Sequence, residues 1–308
     1  MIRWRKPYSS PHFQIYLTLV FLIFSLGGWG QTDSIKVSES RRLRATTLGS
    51  GVLAAGTLSG LYFLWYADYP QSRFHFFQDG KQWLQMDKAG HAMTTFAISE
   101  GCFHLFQGTG LSKSRVVATS ALLGLGYQTA IEVMDGFSAE WGFSPGDMAA
   151  NAFGASLFTV QQMAWDEQRI RLKFSFTPSI YADYRPELLG SSLREQVFKD
   201  YNGQTYWLTW NPNEFNLWSA WPAWLDIAMG YGANGMTGGS FNAPGTPETS
   251  AFERERQYYL SLDIDLYALP AKRTWFKVLR TAFGYIKIPA PALVYGSKNG
   301  WDAAFLSF

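Results

Sequence analysis

The feature of this sequence that most limits its fold is a set of long apolar segments in its first half, in which polar residues gather near one end. Turn-forming breaks at Tyr69-Pro70, at Gly108-Thr109-Gly110 and between Gly136 and Pro145 separate these segments. We predict four helices, over residues 45–66, 87–106, 114–135 and 145–166. The third is almost entirely apolar before its last turns, so it must be covered by protein or by lipid. The sequence therefore predicts a helical bundle over residues 43–168.

Beyond Arg169 the hydrophobic period changes from that of a helix to that of a strand. Apolar and polar residues alternate over 172–177 and over 260–266, which indicates strands with two different faces. Further strands are predicted over 205–210, 224–231, 286–295 and 301–308, and further helices over 191–200 and 272–283. The glycine-rich run Gly230–Gly235 is interpreted as a turn. The predicted fold class is α+β, with an N-terminal bundle of about four apolar helices followed by a β-rich antiparallel C-terminal domain over residues 169–308.

The alternation alone does not decide whether the strands lie in a membrane or in water. An outer-membrane barrel with an apolar outer face gives this pattern, and so does a water-soluble antiparallel sheet packed on the helices. Aromatic residues make up 17% of the chain, with 13 Trp and 16 Tyr, and such rings favour the boundary between apolar and wet surroundings.

The 26 Lys and Arg nearly balance the 24 Asp and Glu, so nucleic acid is not an expected partner. Membrane or envelope components are the expected partners, and the oligomeric state stays open.

The first thirty residues have the pattern of an export signal. Basic residues at Arg3, Arg5 and Lys6 precede an apolar run over 15–26, and small residues follow before Gln31. We predict a signal peptide over residues 1–30 and a location in the cell envelope, in the periplasm or outer membrane. An uncleaved anchor helix is the alternative, although the apolar run is shorter than a full membrane span.

Three polar clusters fall at alternating ends of the predicted helices. One begins the second helix, one ends the third and one begins the fourth, so helices that run up, down and up bring all three together. The clusters comprise Asp87, Lys88 and His91, then Gln128, Glu132 and Asp135, and then Ser144, Asp147 and Asn151. This predicted convergence is the candidate site.

Two kinds of chemistry fit these residues. One imidazole with several carboxylates can bind a divalent metal, which makes Asp87, His91, Glu132 and Asp147 candidate ligands of zinc, manganese or iron. A histidine beside carboxylates is also a general acid and base pair, which makes His91, Glu132 and Asp135 candidate catalytic residues. The spacing matches no closed zinc motif, so the cofactor stays unknown, with a divalent metal as the candidate.

A structural role explains the same cluster without a ligand. Ser144 before Pro145 is a typical helix start, and Glu132 can be a buried partner of Lys88 or His91. Under this interpretation Lys88, Gln128, Ser144 and Asn151 are polar groups that satisfy each other inside the bundle. If the site is catalytic instead, Lys88 is available to stabilise an anion.

Other titratable residues carry less weight. Glu100 and His104 are four residues apart and are expected to form an exposed contact on one helix. His75 lies in an aromatic-rich loop with only Asp79 as a nearby carboxylate. Cys102 is expected to pack as a small apolar residue.

The motifs Asp87-Lys88-x-x-His91, Glu132-x-x-Asp135 and Ser144-x-x-Asp147 resemble the YfiM-like family of predicted periplasmic or outer-membrane proteins, a domain of unknown function. A fainter similarity to VanZ-like membrane proteins rests on the first motif and on the later Asp147, Asn151 and Gly154. The resemblance covers residues 86–158 and implies an envelope location without naming an activity. We expect an exported, envelope-associated protein with a structural or binding role at the membrane, with a metal-dependent hydrolase or transferase as the alternative.

Overall fold

The computed structural model describes residues 35–242, 251–270 and 273–307. The predicted signal peptide lies outside the described residues, and so does Phe308. Within them the chain is an α+β protein, as predicted, with helices first and one antiparallel sheet after them. The helices are α1 (Ile35–Leu61), α2 (Met86–Phe106), α3 (Lys113–Gly136), α4 (Pro145–Trp165), α5 (Tyr181–Tyr184), α6 (Pro186–Leu189), α7 (Leu193–Lys199) and α8 (Thr274–Phe283).

The four predicted bundle helices are confirmed with small changes at their ends. Helix α1 begins earlier than predicted and continues into a π-helical turn at Tyr62–Tyr66. Helix α4 begins as the sequence indicates, because the Ser144 hydroxyl accepts a hydrogen bond from the Asp147 amide at 3.1 Å and Pro145 occupies the first turn. By length and composition, the helical spans Ser38–Tyr66 and Lys113–Gly136 could each cross a membrane.

Small residues let α2, α3 and α4 approach closely. A Cβ on Gly154 would overlap the carbonyl oxygen of Ala92, and a Cβ on Gly124 would lie 2.9 Å from that of Thr95. Apolar side chains of the three helices fill the space that remains, and the buried core consists of Phe96, Phe103, Phe106, Val116, Val117 and Phe158. The glycines therefore fix the spacing that allows polar groups at the helix ends to touch.

The sheet is a six-stranded meander in which each strand pairs with the next in sequence. All strand pairs are antiparallel, so the predicted antiparallel pattern is confirmed. Short connections make this order the simplest one for successive strands. The strands are β1 (Ile170–Phe176), β2 (Gln204–Trp210), β3 (Leu225–Asn234), β4 (Glu255–Ile264), β5 (Ala290–Gly296) and β6 (Gly300–Ser307).

The polar face of the sheet is the buried one. The Lys173 ammonium on β1 lies 2.6 Å from an Asp263 carboxylate oxygen on β4, and the Trp207 indole donates to the Ser175 hydroxyl at 2.7 Å. The chain at 285–287 pairs with the free edge of β1, and the Lys287 ammonium lies over the Trp207 ring at 4.6 Å. The sheet thus encloses charged groups in pairs on this face. Its apolar face packs in part against the bundle at β1 to β3 and is exposed mainly on β4 to β6.

The glycine-rich run predicted as a turn is part of a strand, so that prediction is wrong. Strand β3 continues through this run to Asn234. A Cβ on Gly230 would lie 2.7 Å from the Trp207 ring, and one on Gly232 would lie 3.1 Å from the Tyr259 ring. Glycine occurs here because the buried face must hold large aromatic rings beside the β3 backbone.

Helix α2 lies against β1, β2 and β3 and joins the two halves of the protein. Leu172 on β1 packs against the bundle core. Glu100 is buried, and its carboxylate is 2.9 Å from the Arg171 guanidinium and accepts from the Tyr285 hydroxyl at 2.8 Å. The predicted contact between Glu100 and His104 is present, with 3.8 Å between His104 Nε2 and Glu100 Oε1. The prediction that this contact is exposed is wrong for Glu100, because its carboxylate is buried against Arg171 and Tyr285 of the C-terminal half.

Candidate functional site

The start of α2, the end of α3 and the start of α4 meet at one end of the bundle, where the three predicted clusters join. His91 Nε2 on α2 lies 3.5 Å from Glu132 Oε1 on α3. The other Glu132 oxygen accepts from the Ser144 backbone amide at 2.9 Å, at the start of α4. His91 Nδ1 lies 3.1 Å from Asn151 Oδ1. Polar groups from three separate helices thus contact each other directly.

The orientation of the His91 ring follows from its neighbour Asn151. The Thr95 hydroxyl lies 2.8 Å from the His91 backbone carbonyl oxygen and 3.0 Å from Asn151 Oδ1, and this amide oxygen can only accept from His91 Nδ1. In the tautomer with the hydrogen on Nδ1, this nitrogen donates to Asn151 Oδ1, and the Nε2 lone pair faces the carboxyl group of Glu132, whose pKa burial raises to about 8. Burial lowers the pKa of His91, which favours this neutral form.

Lys88 is surrounded by carboxylates instead of pairing with Glu132. Its ammonium lies 2.7 Å from Asp79, 2.9 Å from Asp87 and 3.0 Å from Asp147. Burial works against its charge, but these carboxylates, Asp87 first among them, hold the pKa of Lys88 well above its usual value. Lys88 is thus a fixed cation within an acidic cluster, and its charge is already matched.

Sequence reasoning missed Asp79 as a member of the cluster. It lies in the loop before α2, where no periodic pattern marks its direction. In the structure its carboxylate contacts Lys88 and accepts from the Ser144 hydroxyl at 2.7 Å. Asp135, predicted beside His91, has a different partner, because it accepts from the Tyr66 hydroxyl at 2.7 Å.

Several buried acceptor atoms in the cluster have no hydrogen-bond donor among the described residues. They include Oε1 of Glu132, Oε1 of Gln128 and Oδ1 of Asp87. Glu132 is only 1% exposed, so water does not replace the absent donor easily. A buried acceptor left in this way costs about 1–3 kcal/mol. The cluster therefore has an unmet requirement for a proton donor or a cation.

Two groups of three side chains have the spacing of metal ligands. Ligand atoms of His91, Glu132 and Asp147 all lie within 4.8 Å of one another, and so do those of Asp79, Asp87 and Asp147. The second group already surrounds the Lys88 ammonium. Burial raises the pKa of Asp147, the residue common to both groups, to about 6, so its carboxylate gains from any nearby cation. In the first group only Asp147 contacts this ammonium, so His91 and Glu132 are the ligands that Lys88 does not engage.

The region that forms this site is similar to a known family. Residues 75–162 match a family described as predicted periplasmic lipoprotein (DUF2279). The match begins before α2, so it includes Asp79 as well as the three clusters. This description agrees with the location predicted from the sequence, the cell envelope. No curated protein and no solved structure matches the chain.

Proposed function

We propose that this chain is an envelope protein that binds a divalent metal ion at one end of its helical bundle. His91, Glu132 and Asp147 are the proposed ligands. The observation that carries the proposal is the buried Oε1 atom of Glu132, which faces His91 and has no donor among the described residues. A bound cation would satisfy this oxygen.

The donor set and its charge support a divalent ion. One imidazole nitrogen with two carboxylates suits zinc, manganese or iron. Ligand atoms around one such ion are about 3–4 Å apart, so the side chains need to move by about 1 Å. The carboxyl groups of Asp79, Asp87 and Asp147 surround the Lys88 ammonium, so this part of the cluster has more carboxylates than cations, and a divalent ion would balance the excess negative charge. Burial raises the pKa of Glu132 to about 8, so a metal ion would replace the proton of this carboxyl group at neutral pH.

Asn151 supports the same proposal as a neighbour of a ligand. Histidines that bind metal commonly donate their second ring hydrogen to an oxygen acceptor, which fixes the tautomer. The contact between His91 Nδ1 and Asn151 Oδ1 has this arrangement. Asn151→Leu should therefore weaken metal binding without removing a ligand, by about tenfold or more.

The test measures bound metal on purified protein. After incubation with Zn²⁺ or Mn²⁺ and removal of free ions, we expect about one equivalent per chain by mass spectrometry of the metal. His91→Ala and Glu132→Gln should lose this metal while circular dichroism shows an intact fold. His104→Ala is the matched control, because it removes a histidine that lies outside the cluster. Wild-type protein that holds no more metal than His91→Ala contradicts the proposal and leaves a purely structural role.

A metal-dependent hydrolase or transferase that uses His91, Glu132 and Asp135 is a second proposal. Its support is a cavity of about 160 Å³ lined by Tyr62, Tyr66 and Phe137, since the Tyr66 hydroxyl contacts Asp135. Hydrolysis of chromogenic esters and phosphate esters by metal-loaded protein tests it, and Asp135→Asn should abolish any activity while metal stays bound. Activity equal in wild type and Asp135→Asn argues against this role.

The finer relationships also remain proposals. Similarity to YfiM-like proteins and to VanZ-like proteins is supported by the motifs on α2, α3 and α4. The boundary between a helical domain and a β-rich domain is proposed near residues 168–169. Membrane or envelope components are the proposed partners, in a structural or binding role.

A further inference from the structure

We infer that the outward surfaces of the bundle and of the sheet together form one apolar belt that contacts the acyl chains of a lipid bilayer. The belt is independent of metal binding. Three observations support it: the charge-free segments of the helices, the rows of apolar side chains on the sheet, and the positions of these two surfaces along the long axis of the bundle.

Charged residues are absent from the central part of each outward helix. No Asp, Glu, Lys or Arg occurs over residues 45–67, 116–131 or 148–165, whereas Arg44, Asp68, Arg115, Glu132, Asp147 and Asp166 bound these segments. The shortest of them has a length of about 24 Å at 1.5 Å per residue. Water-exposed helices of this length normally carry charges on their outer face.

The outward side chains in these segments are large and apolar. Val52 and Phe63 on α1 are more than 70% exposed, and Leu122 on α3 and Val160 on α4 are more than 60% exposed. These residues lie on three different helical spans, each between the charged residues that bound its apolar segment. Exposed apolar surface on this scale marks a binding surface and not an ordinary wet face.

The apolar face of the sheet is ordered in rows; helix α2 and the residues just before it cover part of this face on β1 to β3, and the side chains exposed on it lie mainly on β4 to β6. An aromatic side chain occupies the same row on every strand, and adjacent members are paired directly across the sheet. This row comprises Phe174, Tyr206, Tyr231, Tyr258, Tyr295 and Trp301. The next row comprises Leu172, Leu208, Met229, Leu260, Leu293 and Ala303. A groove of about 640 Å³ lies on this aliphatic part of the face, lined in part by Leu260, Leu262, Leu293 and Phe305.

The aromatic row lies at the same end of the bundle as the candidate metal site, measured along the long axis of the helices. The Tyr206 ring contacts α2 at Gly90, where a Cβ would lie 2.7 Å from its hydroxyl oxygen. Tyr231 donates a hydrogen bond to the Leu84 carbonyl just before α2. Leu172, in the aliphatic row, packs against the bundle core, which begins at Phe96 and extends towards the end of the bundle away from His91. The aliphatic band of the sheet and the charge-free band of the helices are therefore side by side.

A second aromatic border closes the belt at the opposite end. Trp165 at the end of α4 packs against Phe215, and Trp218 and Trp224 are exposed in the same loop region. Trp224 precedes Tyr231 by seven residues, which is about 23 Å along an extended strand. Along a strand tilted by about 35–45°, this length corresponds to about 16–19 Å of height, which lies within the ~25 Å apolar band of outer-membrane proteins.

Lipid explains these features better than a protein partner does. A bilayer imposes aromatic residues at two heights, an aliphatic band between them and charges beyond them, on helices and strands alike. A protein partner would require complementarity at one patch only. The polar, ion-paired interior of the sheet agrees with this assignment, because it is the apolar face that is exposed on β4 to β6. The His91 cluster then lies just beyond the belt, at the height of lipid headgroups.

The test compares two Leu→Arg variants of the full chain. Leu260→Arg adds a charge within the belt at a leucine that is 46% exposed, and Leu193→Arg adds one at a leucine on α7 that is 60% exposed, beside Arg194 and Glu195. We expect Leu260→Arg to lower the fraction retained in membranes after a carbonate wash by about tenfold or more, and Leu193→Arg to leave it unchanged. Equal retention of both variants overturns the inference.

A second measurement does not depend on a destabilising charge. In a Cys102→Ala background, Leu260→Cys and Leu193→Cys are labelled with an environment-sensitive fluorophore and reconstituted in phosphatidylcholine vesicles. Lipids with doxyl groups on their acyl chains should quench the label at position 260 several-fold more than the label at position 193. Equal quenching overturns the inference, as does wild-type protein that remains in aqueous buffer as an oligomer without detergent or lipid.

Discussion

Removal of the Glu100 carboxylate should destabilise the protein strongly, because this group joins the bundle to the sheet. In the structure Glu100 is 3% exposed and accepts hydrogen bonds from Arg171 at 2.9 and 3.2 Å and from Tyr285 at 2.8 Å. Glu100→Gln leaves the Arg171 guanidinium buried without a counter-charge. Breaking a buried ion pair in this way costs about 3–5 kcal/mol.

The same reasoning predicts a partial rescue. Glu100→Gln combined with Arg171→Met removes both charges, and apolar replacements of buried ion pairs are often neutral or stabilising. The double variant should therefore be more stable than Glu100→Gln alone by about 2 kcal/mol. Glu167→Gln is the matched control, because its ion pair with Arg169 is exposed and should contribute less than about 1 kcal/mol.

The assay is urea unfolding of protein in detergent micelles, followed by tryptophan fluorescence and circular dichroism. A coincident transition by both probes allows the free energies of unfolding to be compared. A loss of less than 1 kcal/mol in Glu100→Gln, or a double variant less stable than the single one, refutes the assignment of this pair as the connection between the two halves.

Further predictions concern packing, pH and metal. Gly154→Ala should destabilise by about 2 kcal/mol or more, because its Cβ meets the Ala92 carbonyl, whereas Gly126→Ala on α3 meets no atom and should gain up to about 1 kcal/mol in urea unfolding. Burial raises the pKa of Glu214 to about 7, so the folded protein holds this proton more tightly than the unfolded chain. Its contribution to stability is complete below about pH 4.5 and is lost as the pH rises through 7, so the Tm of the wild type should fall more between pH 5 and pH 8 than that of Glu214→Gln. Zinc at 100 times its Kd should stabilise the wild type by about 2.7 kcal/mol in the same unfolding assay and leave His91→Ala unchanged.

The elements of the fold were predictable because their hydrophobic periods are strong. Four apolar helices with turn-forming breaks and strands with strict alternation leave few other arrangements, and the ends of α2, α3 and α4 had to meet once the helices alternate in direction. The glycine-rich part of β3 was predicted wrongly because glycine content suggests a turn, while the actual cause is the space that Trp207 and Tyr259 require on the buried face.

Long-range partners could not be predicted from one sequence. Glu100 and Arg171 are 71 residues apart, and no local pattern connects a carboxylate on a helix with an arginine on a strand. Asp79 lies in a loop, so its direction depends on the fold of α2 and α4. Alternation in the strands shows that one face is polar, but only the position of the helices determines which face is enclosed.

The Lys88 ammonium is a positive charge that always lies among the carboxylates at the acidic end of the bundle. Because this cation is part of the chain, the carboxylates of Asp79 and Asp87 stay assembled whatever the supply of ions outside the cell. Asp147 alone is shared with the proposed metal ligands, so an arriving ion has to compete with the lysine for one oxygen and not for the whole cluster. If the proposed site binds an ion, the lysine would keep the acidic cluster assembled both before the ion arrives and after it leaves.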